Sequence, residues 1–366
     1  MAERTGIAWT DHTHNEWEGC FKISPACASC YASVSTPVRV LRAKGLEVWG
    51  PAKTTPRHRT SEGNRRKPFA WDRAAKAEGV RRRVFCSSLS DVFEDHPMLD
   101  AWRADLWRTI EACDGLDWQL LTKRPQNILR MVPPSWRTAW PAHVWIGTTV
   151  EDQRRAEERI PHLLSVPAAV RFLSCEPLLE RVDLNPPTCP NCEGHEAEVG
   201  DDGATPFCPE HFEEMGFNAW LNACASATQP GINWVIVGGE SGPGARPFDL
   251  AWARSILRQC AEAGVPAFCK QVGAVPVDSA RAAVHQPCIH EGRPAIRSTV
   301  YRADAPEVAQ ARADIALGTL RLAAPQVEHP LHLRSHFRYT DKAGAAPSEW
   351  PADLRVQQFP GEVSRG

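Results

Sequence analysis

The sequence lacks any run of about 18 apolar residues, the length that a membrane-spanning helix requires. Its start, Met1-Ala2-Glu3-Arg4-Thr5, lacks the apolar segment of an export leader. No membrane partner is therefore expected, and a cytoplasmic location is. An excess of one charge is missing too: 42 Lys and Arg stand against 44 Asp and Glu, a formal net charge of −2. With 43% apolar and 23% charged residues, this is the profile of a soluble folded chain, not a disordered one. Tyrosine is scarce, three residues against fourteen tryptophans, a balance that reads as core and interface packing. Disulfides are not expected. Thirteen cysteines, an odd number without a leader, read as metal ligands and buried thiols in a reducing compartment. At 366 residues there is room for one large α/β domain plus an insertion or appendage.

What is present is concentrated near the N-terminus. Cys20, Cys27 and Cys30 stand at C-x6-C-x2-C, with Tyr31 directly after the last and Pro25 stiffening the loop. Cys27 and Cys30 can reach one metal centre from a single turn, while Cys20 approaches from the other side. Three thiolates with no fourth partner nearby do not close a structural zinc site, which takes four ligands. They suit a [4Fe–4S] cluster held by three cysteines, with its fourth iron open to a small molecule. The alternative is a zinc or core-cysteine loop completed by His12 or His14.

Short apolar runs alternate with helical patterns from residue 80 to about 272. Strands are predicted at 84–87, 118–122, 144–148, 170–174, 234–238 and 267–270, each nearly continuous in hydrophobicity, as buried parallel strands read. Helices are predicted at 98–113, 125–131, 151–164 and 249–263. In the first, Leu99, Trp102, Leu106, Trp107 and Ile110 form an apolar face bounded by Pro97 and Gly115. Such alternation argues a parallel α/β barrel or a doubly wound sheet. The strand ends are the polar ends: Ser87, Ser88, Ser90 and Asp91; Thr122, Lys123 and Arg124; Thr148, Thr149 and Glu151; Cys175 and Glu176; Glu240 and Ser241. Working residues of parallel barrels gather on that face.

Residues 33–80 read as less regular, and 53–83 carry eleven Lys or Arg against three acids. Arg57, His58, Arg59, Arg65, Arg66 and Lys67 could line a phosphate-binding surface; a solvated basic face is the other reading. Cys189, Cys192, Cys208 and His211 form C-x2-C…C-x2-H across fifteen residues, the ligand set of a closed structural Zn2+ site, with His195 as a competing ligand. The segment between them is acidic and glycine-rich, so metal would be what folds it. This insertion, residues 186–231, reads as lying on or near the barrel mouth, where it could dock a partner protein. Residues 276–366 read as an irregular C-terminal extension with a possible helix at 306–323; the histidine run 329–336 has no acid or cysteine beside it and reads as surface.

A family resemblance enters on these residues. Ile7-Ala8-Trp9-Thr10-Asp11-His12-Thr13-His14-Asn15, the cysteine loop, Ser88-Leu89-Ser90-Asp91-Val92-Phe93 and Leu120-Leu121-Thr122-Lys123-Arg124-Pro125 carry its first half. Arg171-Phe172-Leu173-Ser174-Cys175-Glu176-Pro177, Val235 through Pro247 and Phe268-Cys269-Lys270-Gln271 carry the second. Together they resemble a phage- and prophage-associated family of uncharacterised three-cysteine-motif proteins, itself similar to radical S-adenosylmethionine (SAM) enzymes, whose usual spacing is C-x3-C-x2-C. The resemblance implies a partial (βα)6-type TIM-like barrel over residues 1–275, and the zinc-knuckle insertion read from its own spacing falls within that range. It also implies a [4Fe–4S] cluster on Cys20, Cys27 and Cys30, bound SAM, and an external electron donor. Tyr31 then sits where an aromatic can touch adenine. Gly238, Gly239, Gly242 and Gly244 let a ligand approach the backbone, with Glu240 and Arg246 for its charged ends. Ser88, Thr122, Lys123 and Arg124 offer donors to a carboxylate or phosphate, and Cys175 and Glu176 are the candidates for hydrogen-atom or proton transfer. The expected function is reductive SAM cleavage to modify an anionic substrate, a nucleotide or nucleic-acid base. The alternative is a non-catalytic, metal-dependent nucleic-acid-binding protein.

Overall fold

The structure, a computed structural model, describes residues 5–184, 220–221, 231–242, 244–279 and 345–360. It also describes the backbone of strand segments at 187–188, 198–199, 206–207, 216–217, 281–290, 293–302 and 335–336. Seven strands form one sheet: β1 (His12–His14), β2 (Arg82–Cys86), β3 (Leu116–Thr122), β4 (Val144–Thr149), β5 (Arg171–Cys175), β6 (Trp234–Gly238) and β7 (Ala267–Gln271). Every neighbouring pair is parallel, and order in space equals order in the chain. The sheet curls into a half-barrel, compatible with a TIM-like fold. Helices α1 (Thr36–Ala43), α2 (Lys67–Glu78), α3 (Leu99–Ala112), α4 (Gln153–Leu164) and α5 (Leu250–Glu262) accompany it.

Both faces of the sheet are covered, which is why its strands read as apolar runs. Every residue of β4, β5 and β6 is buried. Alternation sorts the side chains into two layers. Val84, Leu120, Ile146, Leu173 and Val235 join the layer that packs against the helices. Phe85, Trp145, Phe172, Trp234 and Phe268 fill the inside with Trp9, whose ring lies 4.7 Å from that of Phe85. Two helices are started by side chains of the loops before them. Asp152 accepts the Arg155 N–H at 2.8 Å to cap α4, and Asp249 accepts the Ala251 N–H at 3.0 Å to cap α5.

Among the described residues no ladder joins β1 to β7. The free edge of β7 is covered instead by residues 356–358, running antiparallel: Cys269 N–H donates to the Val356 carbonyl at 2.7 Å, and Gln358 N–H to the Ala267 carbonyl at 2.9 Å. Phe359 then packs on Trp234 and Phe268, at 5.6 and 5.3 Å between ring centres. The Arg83 guanidinium of β2 lies 3.8 Å over its face. Trp350 and Leu354 are buried beside α5. Part of the stretch expected to be an irregular extension is thus core.

All six predicted strands are present within two residues of their expected ends, and β1 joins them. The 33–80 stretch, expected to be less regular, contains α1 and α2. Of α1 only Val38 and Leu41 are buried, and of α2 only Pro68, Trp71, Asp72 and Ala75, so neither segment shows a long apolar face. The predicted helix at 306–323 lies outside the described residues. So does the histidine run, apart from the backbone of Ser335–His336, antiparallel to Val277 and Asp278. No helix among the described residues is long and apolar enough to cross a membrane.

Candidate functional site

A cavity of about 180 Å³ lies where the C-terminal ends of β2–β7 meet the cysteine loop. Cys20, Cys27 and Cys30 all line it, as do Ser88, Lys123, Arg124, Glu176, Gly239 and Glu240. The loop is set in place by partners far along the chain. Gly19, at φ 109°, donates its N–H to the Leu89 carbonyl at 3.0 Å. A Cβ there would collide with the Val48 carbonyl oxygen, so both conformation and space require glycine. The Asn15 amide accepts from Leu89 N–H at 2.7 Å and donates to Ser88 Oγ at 2.9 Å. Ala26 N–H points at Glu151 Oε1 at 3.4 Å, and Arg159 holds that carboxylate through Oε2 at 2.7 Å.

The Thr122-Lys123-Arg124 corner after β3 serves the sulfurs. Arg124 is buried, pairs with Asp91 at 2.8 Å, donates to the Phe21 carbonyl at 2.8 Å and lies 3.7 Å from Cys20 Sγ. Thr122 Oγ1 donates to Asp91 at 2.7 Å, and Asp91 also accepts from the N–H groups of Phe93 and Lys123. Burial opposes ionisation of Asp91, but Arg124 and these donors outweigh it and hold the carboxyl below its usual value. Burial pushes the Cys20 thiol up to about 12 against the opposing pull of Arg124. Cys27 ends below its ordinary value: burial acts against it, but Lys123 and hydrogen bonds from the Ile23–Ser24 backbone prevail. Lys123 and Arg124 thus each act on a different cysteine.

Across the cavity, Glu176 Oε1 accepts from Lys270 Nζ at 2.6 Å and Gln271 Nε2 at 3.0 Å, and Gln271 is itself fixed to the Gly239 carbonyl at 2.7 Å. Glu240 is bonded to Arg246 through its N–H at 2.9 Å and its guanidinium. The place a Cβ would take at Gly239 is filled by Phe248, 2.8 Å away, so the chain's own packing claims that glycine. Tyr31 OH donates to the Ser88 carbonyl at 3.2 Å. Lys270, Gln271, Trp9 and Thr149 line the cavity as well. The sequence offered them only inside motif blocks and strand-end clusters, without roles.

Cys175 is not brought to the site. It is fully buried on the helix-facing side of β5 with Cys260 of α5, and burial pushes its thiol well above the ordinary value. Alternation explains this: Phe172, Ser174 and Glu176 share the inner face, and Cys175 falls between them. The basic stretch is largely paired within the chain. Arg57 is buried on Glu94 at 2.7 Å, Arg59 bonds Glu16 at 2.7 Å, His58 meets Glu18 at 3.3 Å, and Arg66 meets Glu62 at 2.6 Å. Cys189, Cys192, Cys208 and His211 lie outside the described residues.

Among the described residues no three His, Cys, Asp or Glu side chains stand close enough to share one ion. A cubane cluster offers each cysteine a different iron, so its ligands are spaced more widely than those of a single ion. Three thiols lining one cavity, two cations beside them and, among the described residues, no fourth cysteine or histidine on the lining fit a cluster with an open iron. No curated protein and no solved structure matches the chain significantly. A family model described as "Protein of unknown function (DUF5131)" matches residues 4–314, and the chain belongs to that family.

Proposed function

We propose that the chain is an iron–sulfur enzyme of the radical-SAM type that modifies an anionic substrate, a nucleotide or nucleic-acid base. The observation that carries this reading is the meeting of three thiols, two sulfur-directed cations and a fixed carboxylate in one cavity at the C-terminal end of a parallel sheet. Cys20, Cys27 and Cys30 would hold the cluster. A cluster held there would supply reducing electrons for the cleavage of bound SAM, drawn from a partner electron donor. The chain's own part is to orient and to handle charge. Arg124 ties the loop to the sheet and faces Cys20, and Lys123 offsets charge at Cys27. Glu176, with Lys270 at 2.6 Å, forms a pair that can hold or pass a proton at the carboxylate oxygen. Glu240 and Arg246 set the wall after β6. Cys189, Cys192, Cys208 and His211 would hold a structural Zn2+ in an insertion suited to docking a partner protein.

Anaerobic reconstitution with iron and sulfide tests the reading. Binding of about four irons per chain, and release of 5′-deoxyadenosine from SAM under a strong reductant, are expected. A colourless protein, or a brown one that releases no 5′-deoxyadenosine, overturns the catalytic proposal.

A further inference from the structure

Among the described residues, buried polar atoms without hydrogen-bond partners occur on Trp9 (Nε1), Ser90 (Oγ), Thr149 (Oγ1) and Gln119 (both amide atoms), and also, away from the cavity, on His14 and Trp17. Folded chains leave few such atoms, because a donor or acceptor taken out of water without a partner is costly. Here three of them share one cavity. Trp9, Ser90 and Thr149 all line the cavity, while Gln119 sits on the same face of β3 as Leu121, which lines it too. Thr149 is fully buried and Trp9 is 3% exposed, so bulk water does not serve them. Around these atoms the wall is aromatic: Trp9 and Phe85, with ring centres 4.7 Å apart and planes tilted by 57°, both border the same space. Aromatic faces ringed by unpaired hydroxyls and an indole N–H suit a planar heterocycle that presents donors and acceptors along its edge.

We propose that the cavity wall formed by Trp9, Phe85, Ser90 and Thr149 is a binding site for a nucleobase-class ring. This deepens the proposed function, since it names the part of a substrate that the chain reads. Stacking against an aromatic face tolerates any base, and the discrimination comes from the hydroxyls, each able to donate or accept. Lys123, whose ammonium has no carboxylate within pairing distance among the described residues, lies on the same cavity and accounts for a phosphate attached to that ring.

The test is direct binding to the metal-free chain, which keeps it separate from the fate of the cluster. Isothermal titration with the nucleoside monophosphates and with S-adenosylhomocysteine is compared between the wild type, Thr149→Val, Ser90→Ala and the double variant. Thr149→Val keeps shape and deletes an unpaired hydroxyl, so the unliganded variant should melt at or above the wild-type temperature. A loss of about tenfold in affinity for at least one nucleotide in each single variant, with more in the double, is expected. The same loss for S-adenosylhomocysteine alone would assign the ring to the cofactor's adenine and overturn the substrate assignment. Unchanged affinity for every probe in all three variants would show that the hydroxyls read no ligand and would overturn the site altogether. A chain that binds nucleotide as expected yet takes up no iron would leave this site standing and remove the iron–sulfur reading.

Discussion

Replacing Arg124 with glutamine tests the corner on which the cysteine loop hangs. The guanidinium is buried and paired with a buried carboxylate, Asp91, at 2.8 Å. Removing one partner of such a pair strands the other, at a cost of about 3–5 kcal/mol. Asp91 keeps three donors, Thr122 Oγ1 at 2.7 Å, Phe93 N–H at 3.0 Å and Lys123 N–H at 3.1 Å, so the lower figure of about 3 kcal/mol applies. The pH dependence fixes the cause. Because Asp91 is held below its ordinary value in the folded chain, its contribution is present above the unfolded value, near about 3.9, and is lost as pH falls through the depressed one. In Arg124→Gln that depression shrinks. The penalty should then be full at neutral pH and diminish toward strong acid, where a protonated Asp91 needs no cation. Urea denaturation of the metal-free chain at both pH values measures it. Asp91→Asn combined with Arg124→Gln should be more stable than the sum of the single effects predicts. Unchanged stability at neutral pH, or a penalty that grows toward acid, would refute the reasoning.

Alanine at Cys20, Cys27 or Cys30, one at a time, should abolish or sharply reduce iron content. Serine at Cys175, which faces the helices, should leave it unchanged; metal analysis after anaerobic reconstitution decides. Lys270→Met removes the donor 2.6 Å from Glu176 and should lower turnover at least tenfold, while cluster content, read by absorbance, stays the same. Phe359→Ala withdraws a half-buried ring from Trp234, Phe268 and Arg83 and should cost about 2 kcal/mol, measured by calorimetry of the metal-free chain.

The sheet was largely legible because most of its strands are sealed on both sides, which leaves no polar alternation to confuse a hydrophobic run. β1 escaped for a physical reason. Its helix-facing residues are His12 and His14, which pack on indoles instead of aliphatic neighbours: His12 stacks on Trp71 at 4.4 Å, and His14 meets the edge of Trp118 at 5.7 Å. The cysteine trio and the polar strand ends were equally visible. What the sequence could not assign was who faces whom. Thr122, Lys123 and Arg124 read as donors awaiting a ligand, yet the side chains of Thr122 and Arg124 and the N–H of Lys123 are all engaged with Asp91, from the loop after β2. Glu176 and Cys175 read as one pair, and the two-residue period of a strand places them on opposite faces.

The anchoring of the cysteine loop has a consequence for the order of assembly. Its fixing points, Leu89, Arg124 and Glu151, belong to segments that follow β2, β3 and β4, so nearby sequence alone cannot hold the three sulfurs in position. Distant contacts of this kind close late in folding. A zinc finger gathers its ligands around the ion and folds because of it; here the first four strands must already be in register before the thiols face a common space. If the proposed cluster is held there, its insertion would be a step taken on a finished scaffold, and removing its iron should leave the sheet folded.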